Sequence, residues 1–291
     1  MRVLNWLGRR LDHPRAGHVV IGIALILATP SLLSPLILDD HVIALKARAA
    51  SQSGSGRMAF LNDCFVFAKP ESTAGSTVPE RLFGAWWAPS GFRFAFWRPV
   101  AAVTNAIDQL LWRDSSLAMH LHTMAWFAAL LVALGAFFRR CLPPRIACLA
   151  LALYAWDDAR GMVLAWVANR NALVAGVLGI CALIAHDKWQ RDDWRAGAWL
   201  APLLFAADLL SAEMAVSILA YLLGYALFLQ QGSRWRRALT VLPYLAITLA
   251  WRSSRCCCRP SVCPSSPSKR SSRHSTAPFP KTRRSKTRRS S

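Results

Sequence analysis

The sequence predicts an all-α, polytopic transmembrane helix bundle of about seven spans, with a large first outer loop over 39–116 and a disordered C-terminal tail. Three observations predict it. Residues 18–38, HVVIGIALILATPSLLSPLIL, form an uncharged run long enough to cross a bilayer core of about 30 Å as a helix. Hydrophobic residues make up 54% of the 291, thirteen of them Trp, and several runs lack the alternation that would show water a polar face. Lys and Arg recur between the apolar runs in a pattern that assigns them to one side of a membrane.

The chain begins with a basic segment, 1–17, carrying Arg2, Arg9, Arg10 and Arg15. The apolar run that follows is longer than the 7–15 residues of a signal peptide and further apolar runs succeed it, so it reads as a retained anchor with a cytoplasmic N-terminus. The anchor ends at Asp39-Asp40, two carboxylates that cannot sit in hydrocarbon and so mark the chain's exit.

The outer loop opens with a short helix-prone piece, 41–50, and a flexible linker, SQSGSGR at 51–57. Residues 82–100, LFGAWWAPSGFRFAFWRPV, suit the headgroup layer, where aromatic rings and Arg settle. Residues 101–112, AAVTNAIDQLLW, have the apolar spacing of a helix lying on that boundary.

A second span is expected over 117–138, closed by Arg139, Arg140 and the break at Pro143-Pro144. Residues 146–156 form a third, short run that stops at Asp157-Asp158. A fourth, 162–185, is interrupted by Asn169-Arg170-Asn171, a backbone break of the kind tolerated where it lines a cavity. Runs at 196–210, 214–230 and 238–251 complete the seven. The expected cytoplasmic pieces, 1–17, 139–145, 186–195 and 231–237, hold 13 Lys/Arg. The short outward turns, 157–161 and 211–213, hold one, Arg160.

The net charge of +20 is uneven. Residues 252–291 hold twelve Lys/Arg and no acid, leaving 23 basic against 15 acidic residues before them. Basicity is mostly a property of the tail, which argues against nucleic acid as a partner of the body. The tail, rich in Arg, Ser and Pro with Cys256-Cys257-Cys258, has nothing that packs and reads as disordered, non-native (frameshift-like) sequence; a lipid-binding basic tail is the alternative. The eight Cys show no CxxC pair, so neither a zinc site nor a disulfide framework is indicated.

Threading this topology puts Asp39, Asp40, Asp157, Asp158, Glu213 and Arg98 on the outer face. Carboxylates there can act as a general base, ligate a divalent cation or simply end helices in water. Asn169 and Arg170 are costly at membrane depth, which makes them candidates for substrate binding or a snorkelling helix end. His120 and His122 lie near the same face but point in different directions on a helix. No Walker loop, GxGxxG, GxSxG or HExxH is present.

A first span ending in Asp39-Asp40, a long loop with Trp97-Arg98-Pro99, then Leu111-Trp112, Asp114-Ser115 and His120-Leu121-His122, resembles the polytopic GT-C glycosyltransferases, and in particular bacterial relatives of protein O-mannosyltransferases. Ala165-Trp166-Val167-Ala168-Asn169-Arg170-Asn171 and Leu209-Leu210-Ser211-Ala212-Glu213 are similar to two further recurring segments of that superfamily. The resemblance covers roughly 18–251 and implies a bacterial inner-membrane transferase that moves a sugar from a polyprenyl-phosphate donor to an acceptor at the outer face. It implies that Asp39 or Asp40 is the catalytic base. Arg98 would help hold the donor phosphate or the loop helix, and Asp157 or Glu213 would assist, or ligate a divalent cation where the enzyme uses one. Asp157, Asp158, Asn169, Arg170 and Glu213 join Arg98 as the candidate substrate-binding residues. Family members usually have more spans and a soluble C-terminal portion, so a chain that ends in the basic tail would be a truncated, inactive fragment. The rival classes are a transporter subunit, which would show an internal repeat, and a non-catalytic membrane scaffold.

Overall fold

Pro30 and Pro35 cannot donate backbone hydrogen bonds, and the first membrane helix winds down where they stand. Helix α1, Ala16–Leu27, tightens into a 3₁₀ turn, Thr29–Leu33, and then into extended chain. Just before Asp39, Leu38 takes φ +39°, in the left-handed region, a conformation that costs a residue with a β-carbon about 1–3 kcal/mol. The computed structural model describes residues 11–52, 56–68, 94–113 and 115–257. The first ten residues, linker positions 53–55, the aromatic stretch 82–93, Asp114 and tail residues 258–291 lie outside the described residues.

Helix α2, Asp39–Gln52, opens the outer loop with its two acids in the first turn, where the positive end of the helix dipole favours them. Helix α3, Gly56–Asp63, leads into a small antiparallel hairpin of β1, Val66–Ala68, and β2, Phe94–Ala95, in the register Val66↔Ala95 and Ala68↔Phe94. This hairpin is the one departure from an all-α chain among the described residues. Helix α4, Pro99–Leu111, closes the loop. Val42, Ile43, Phe60, Cys64, Phe65 and Ala102 form the loop's own apolar core. Cys64 is fully buried there, and desolvation pushes its thiol up to about 12.

The bundle continues with α5, Ser116–Cys141, capped by the Ser115 side chain, then α6, Pro144–Ala155, and α7, Ala159–Ala165. Trp166 is extended, Val167–Arg170 makes a 3₁₀ turn, and α8, Asn171–Arg191, resumes. The backbone break expected around Asn169-Arg170-Asn171 is therefore present. Helix α9, Gly197–Leu209, is followed by a 3₁₀ turn at Glu213–Val216 and by α10, Ser217–Gly224, which widens into a π turn, Tyr225–Leu229. The last helix, α11, Arg234–Cys257, runs past the expected boundary at 251.

End-to-end contacts show how these helices run. Near one end, Asp12 pairs with Arg145, Arg140 pairs with Asp187, and Tyr225 donates to Asp187. Near the other, Thr123 accepts from Arg170, Asp40 accepts from Ala168, and Arg98 pairs with Glu213. Helices α5 and α8 are therefore parallel neighbours, so α6 and α7 carry the chain back between them. Among the described residues, seven helical passes alternate between the two ends.

Among the described residues three stretches, Ala16–Leu33, Ser116–Cys141 and Val167–Arg191, are long and apolar enough to cross a membrane. The count of seven membrane spans is not carried by the remaining four passes. Pro144–Ala155 and Gly197–Leu209 have 12 and 13 residues, about 18–20 Å of helix at 1.5 Å per residue against a core of about 30 Å. Glu213–Leu229 is also short, and α11 carries Arg at 234, 236, 237 and 252 with Pro243 inside.

Candidate functional site

The two carboxylates at the end of the first span do different things. Asp40 is 5% exposed. Its Oδ2 accepts the Ile37 backbone N–H at 3.0 Å and its Oδ1 accepts that of Ala168 at 2.6 Å. The second bond satisfies a donor that the 3₁₀ break before α8 would leave orphaned, so Asp40 holds the break against the loop. Asp39 is half-buried and its carboxylate makes no hydrogen bond or ion pair among the described residues. Its carboxyl is raised above the ordinary value of 3.8, first by burial and then by the neighbouring Asp40, while Lys46 and Arg98 pull it down. Asp40 is also raised by burial, with the Ile37 and Ala168 N–H groups and His120 opposing.

Arg98 sits at the start of α4, held on several sides. Its Nε and Nη2 donate to Glu213 Oε2 at 2.8 and 2.6 Å. The guanidinium lies 4.3 Å from the Phe96 ring centre and 5.4 Å from that of Phe65, a stack that the planar fork of Arg makes and Lys cannot. The Asn171 amide, turned so that Nδ2 donates to Ala168 O at 2.9 Å, accepts from Arg98 Nη1 at 3.2 Å. These bonds use three of the five guanidinium N–H groups, so two remain for another anion. Glu213 is thus an anchor for Arg98, which joins the loop to the end of α9. The Val100 N–H, donating to Leu210 O at 3.2 Å, reinforces the junction.

Lys46 holds the loop together. Its Nζ donates to the carbonyls of Asp63 and Val66 and lies 3.6 Å from the Asp63 carboxylate. It still contributes positive potential at Asp39.

Arg170 does not reach this cluster. It is 1% exposed, its Nη2 pairs with Asp108, and its Nε donates to Thr123 Oγ1 at 3.0 Å. His122 completes the network. The Trp126 indole can only donate, and it points at His122 Nε2 from 3.1 Å, which puts the lone pair on Nε2 and the proton on Nδ1. That proton is donated to Asp108 Oδ1 at 2.6 Å. The 2.9 Å approach of Arg170 Nη1 to His122 Nδ1 then brings two donors together and is no hydrogen bond. The network fastens α4 to α5 and to the 3₁₀ break. His120 is buried nearby, its Nδ1 3.3 Å from Leu164 O.

Asp157 and Asp158 lie at the same end of the bundle in a separate cleft between α1 and α7. Asp157 Oδ1 accepts the Ala159 N–H at 3.0 Å, and this bond holds its carboxyl below the ordinary range. Asn169 is half-buried and its side chain makes no hydrogen bond among the described residues. Asp208 is buried on α9, its carboxylate oxygens without a hydrogen-bond partner, packed where α8 approaches at Gly179.

The structure thus brings Asp39, Asp40, Arg98 and Glu213 together and sets Asp157, Asp158 and Arg170 apart. Sequence reasoning missed Lys46 and Asp108. The signal for Asp108 was available: Thr104, Asn105 and Asp108 form a polar stripe on a mostly apolar helix, and all three are buried. Among the described residues no three His, Cys, Asp or Glu side chains gather to hold a metal ion. The chain matches no known protein-family profile, no curated protein and no solved structure.

Proposed function

We propose that the chain is a membrane glycosyltransferase of the GT-C type, with Asp39 as its general base and Arg98 as the group that receives the donor phosphate. A single observation carries this reading. Asp39 is a half-buried carboxylate free of hydrogen bonds, in the field of an arginine whose position is fixed by Glu213, Phe96 and Asn171. A base must be free to take a proton, and a preorganised cation stabilises charge that develops on a leaving group.

In the proposed reaction Asp39 accepts the proton of an acceptor hydroxyl. The hydroxyl oxygen bonds to the anomeric carbon of the sugar as the bond from that carbon to the polyprenyl phosphate breaks. The leaving phosphate takes the bonding electrons and pairs with the two unengaged N–H groups of Arg98. Asp40 is a positioning residue in this scheme: it keeps the α2 terminus against the 3₁₀ break and raises the proton affinity of Asp39.

The proposed setting is a bacterial inner membrane with the basic N-terminus cytoplasmic and the Asp39 end outside. The shorter passes then cross alongside the three long helices, with Leu153, Trp199, Leu203 and Phe228 exposed toward lipid. The test is transfer of a labelled sugar from a polyprenyl-phosphate sugar to hydroxyl acceptors by the full chain reconstituted in liposomes. Asp39→Asn and Arg98→Gln should each remove at least 99% of transfer while both variants still insert. Full activity in either would overturn the assignment.

A further inference from the structure

A cleft of about 350 Å³ lies between the end of α1 and α7. It lies within the usual size range of ligand sites, and its lining changes character with depth. The buried part of the lining is apolar, made by Ala24, Ala28, Phe127 and Leu164, with the exposed Leu27 beside them. Phe127 is eleven residues along α5 from Ser116, about 16 Å of helical rise from that end. The mouth is polar and lies where the first span ends, with Ser31 and Ser34 on one side and Asp157, Asp158 and Arg160 on the other.

The charges at the mouth are of both signs. Arg160 is braced by the Tyr154 ring at 4.3 Å and donates from Nη1 to the Tyr154 hydroxyl at 3.2 Å, yet its buried Nε has no partner. Asp157 and Asp158 are adjacent and exposed, and Arg160 approaches Asp157 only to 3.6 Å. Two carboxylates against one guanidinium leave the mouth net negative. A ligand carrying only phosphate would meet both acids, and like-charge juxtaposition is penalised. A ligand carrying phosphate and ammonium together would be complemented throughout.

From this the geometry points to a structural lipid site for a zwitterionic aminophospholipid, the phosphate on Arg160, the ammonium between Asp157 and Asp158, and the start of an acyl chain on Leu27, Ala28 and Phe127. The site is separate from Asp39 and Arg98 and does not depend on sugar transfer. It also accounts for two acids that the proposed reaction leaves unused.

Gly161 lines the cleft, and a β-carbon built there meets nothing within 4 Å, so a side chain can start from this position without strain and improves helix propensity. The test is native mass spectrometry of the full chain in detergent with added phosphatidylethanolamine, phosphatidylglycerol or polyprenyl phosphate. Phosphatidylethanolamine should bind at least tenfold more tightly than the other two. Gly161→Leu should reduce that binding at least tenfold with an unchanged melting temperature. Asp158→Asn should narrow the preference over phosphatidylglycerol to less than threefold. Equal binding of the three lipids, tightest binding of polyprenyl phosphate, or unimpaired binding by Gly161→Leu would overturn the proposal.

Discussion

Asp40 Oδ1 accepts the backbone N–H of Ala168 at 2.6 Å across 128 residues of chain, and this bond separates the roles of two adjacent acids. Asn in place of Asp40 offers one oxygen where two N–H groups are received, so a buried donor is left unsatisfied at a cost of about 1–3 kcal/mol. Asp40→Asn should therefore lower the melting temperature by several degrees, whereas Asp39→Asn should leave it within a degree and remove transfer. Thermal unfolding in detergent beside a transfer assay separates the two effects, and equal melting temperatures for both variants would refute the division of labour.

The raised carboxyls also set a pH dependence. Asp39 lies above 3.8 because of burial first and Asp40 second. A base must be deprotonated, so transfer should rise with pH along a limb whose midpoint exceeds 3.8. Asp40→Asn removes the neighbouring charge and should move that midpoint down. Stability runs the other way: a carboxyl that holds its proton more tightly in the folded state than in the unfolded one favours folding most below 3.8. That contribution declines as pH rises through the raised values and is then constant. A pH–rate profile whose limb shifts upward in Asp40→Asn would contradict this account.

Much of this was legible in the sequence because its signals are local. The end of the first apolar helix shortly before Asp39-Asp40, the break at Asn169-Arg170-Asn171 and the gathering of acids at one end follow from apolar run lengths and from where charge interrupts them. What could not be read was partner choice. Arg170 looked like a substrate ligand because charge at membrane depth is costly; Asp108, 62 residues earlier, supplies the compensation. Nothing in local spacing announces that pairing. Run length supports three spans and leaves the count of seven unsupported for a related reason: 12- and 13-residue passes can alternate between the ends of a bundle without meeting the length that lipid exposure demands.

The Arg170–Asp108 pair should be a structural necessity. Both side chains are about 1% exposed, and removing one partner from a buried pair typically costs about 3–5 kcal/mol because the other charge is left uncompensated. Asp108→Leu and Arg170→Leu should each abolish accumulation of folded chain, while the double variant should recover part of it. A double-mutant cycle on yield and melting temperature measures the coupling. If Asp108→Leu alone folds as well as wild type, the network does not fasten α4.

Helix α4 is amphipathic in the inverse sense. Its polar residues Thr104, Asn105 and Asp108 face the protein, and Val103, Ile107, Leu110 and Leu111 are exposed at 44, 37, 58 and 66%. The spacing 103, 107, 110, 111 lays these four along one side, and an apolar stripe of that kind facing water would be an aggregation liability. The arrangement makes sense if the stripe rests in the membrane interface beside α5, whose Leu117 and Leu121 are likewise exposed. In a chain with its other cysteines replaced, Leu110→Cys should react with a membrane-permeant maleimide and resist an impermeant one, and Asp39→Cys should react with the impermeant reagent from outside the cell. Leu110→Lys should loosen α4 from the interface and raise impermeant labelling at Ile107→Cys at least fivefold. Labelling of Asp39→Cys only from the cytosol would invert the topology and with it the proposed reaction. Ready impermeant labelling of Leu110→Cys would place the stripe in water and leave its apolar character without a cause.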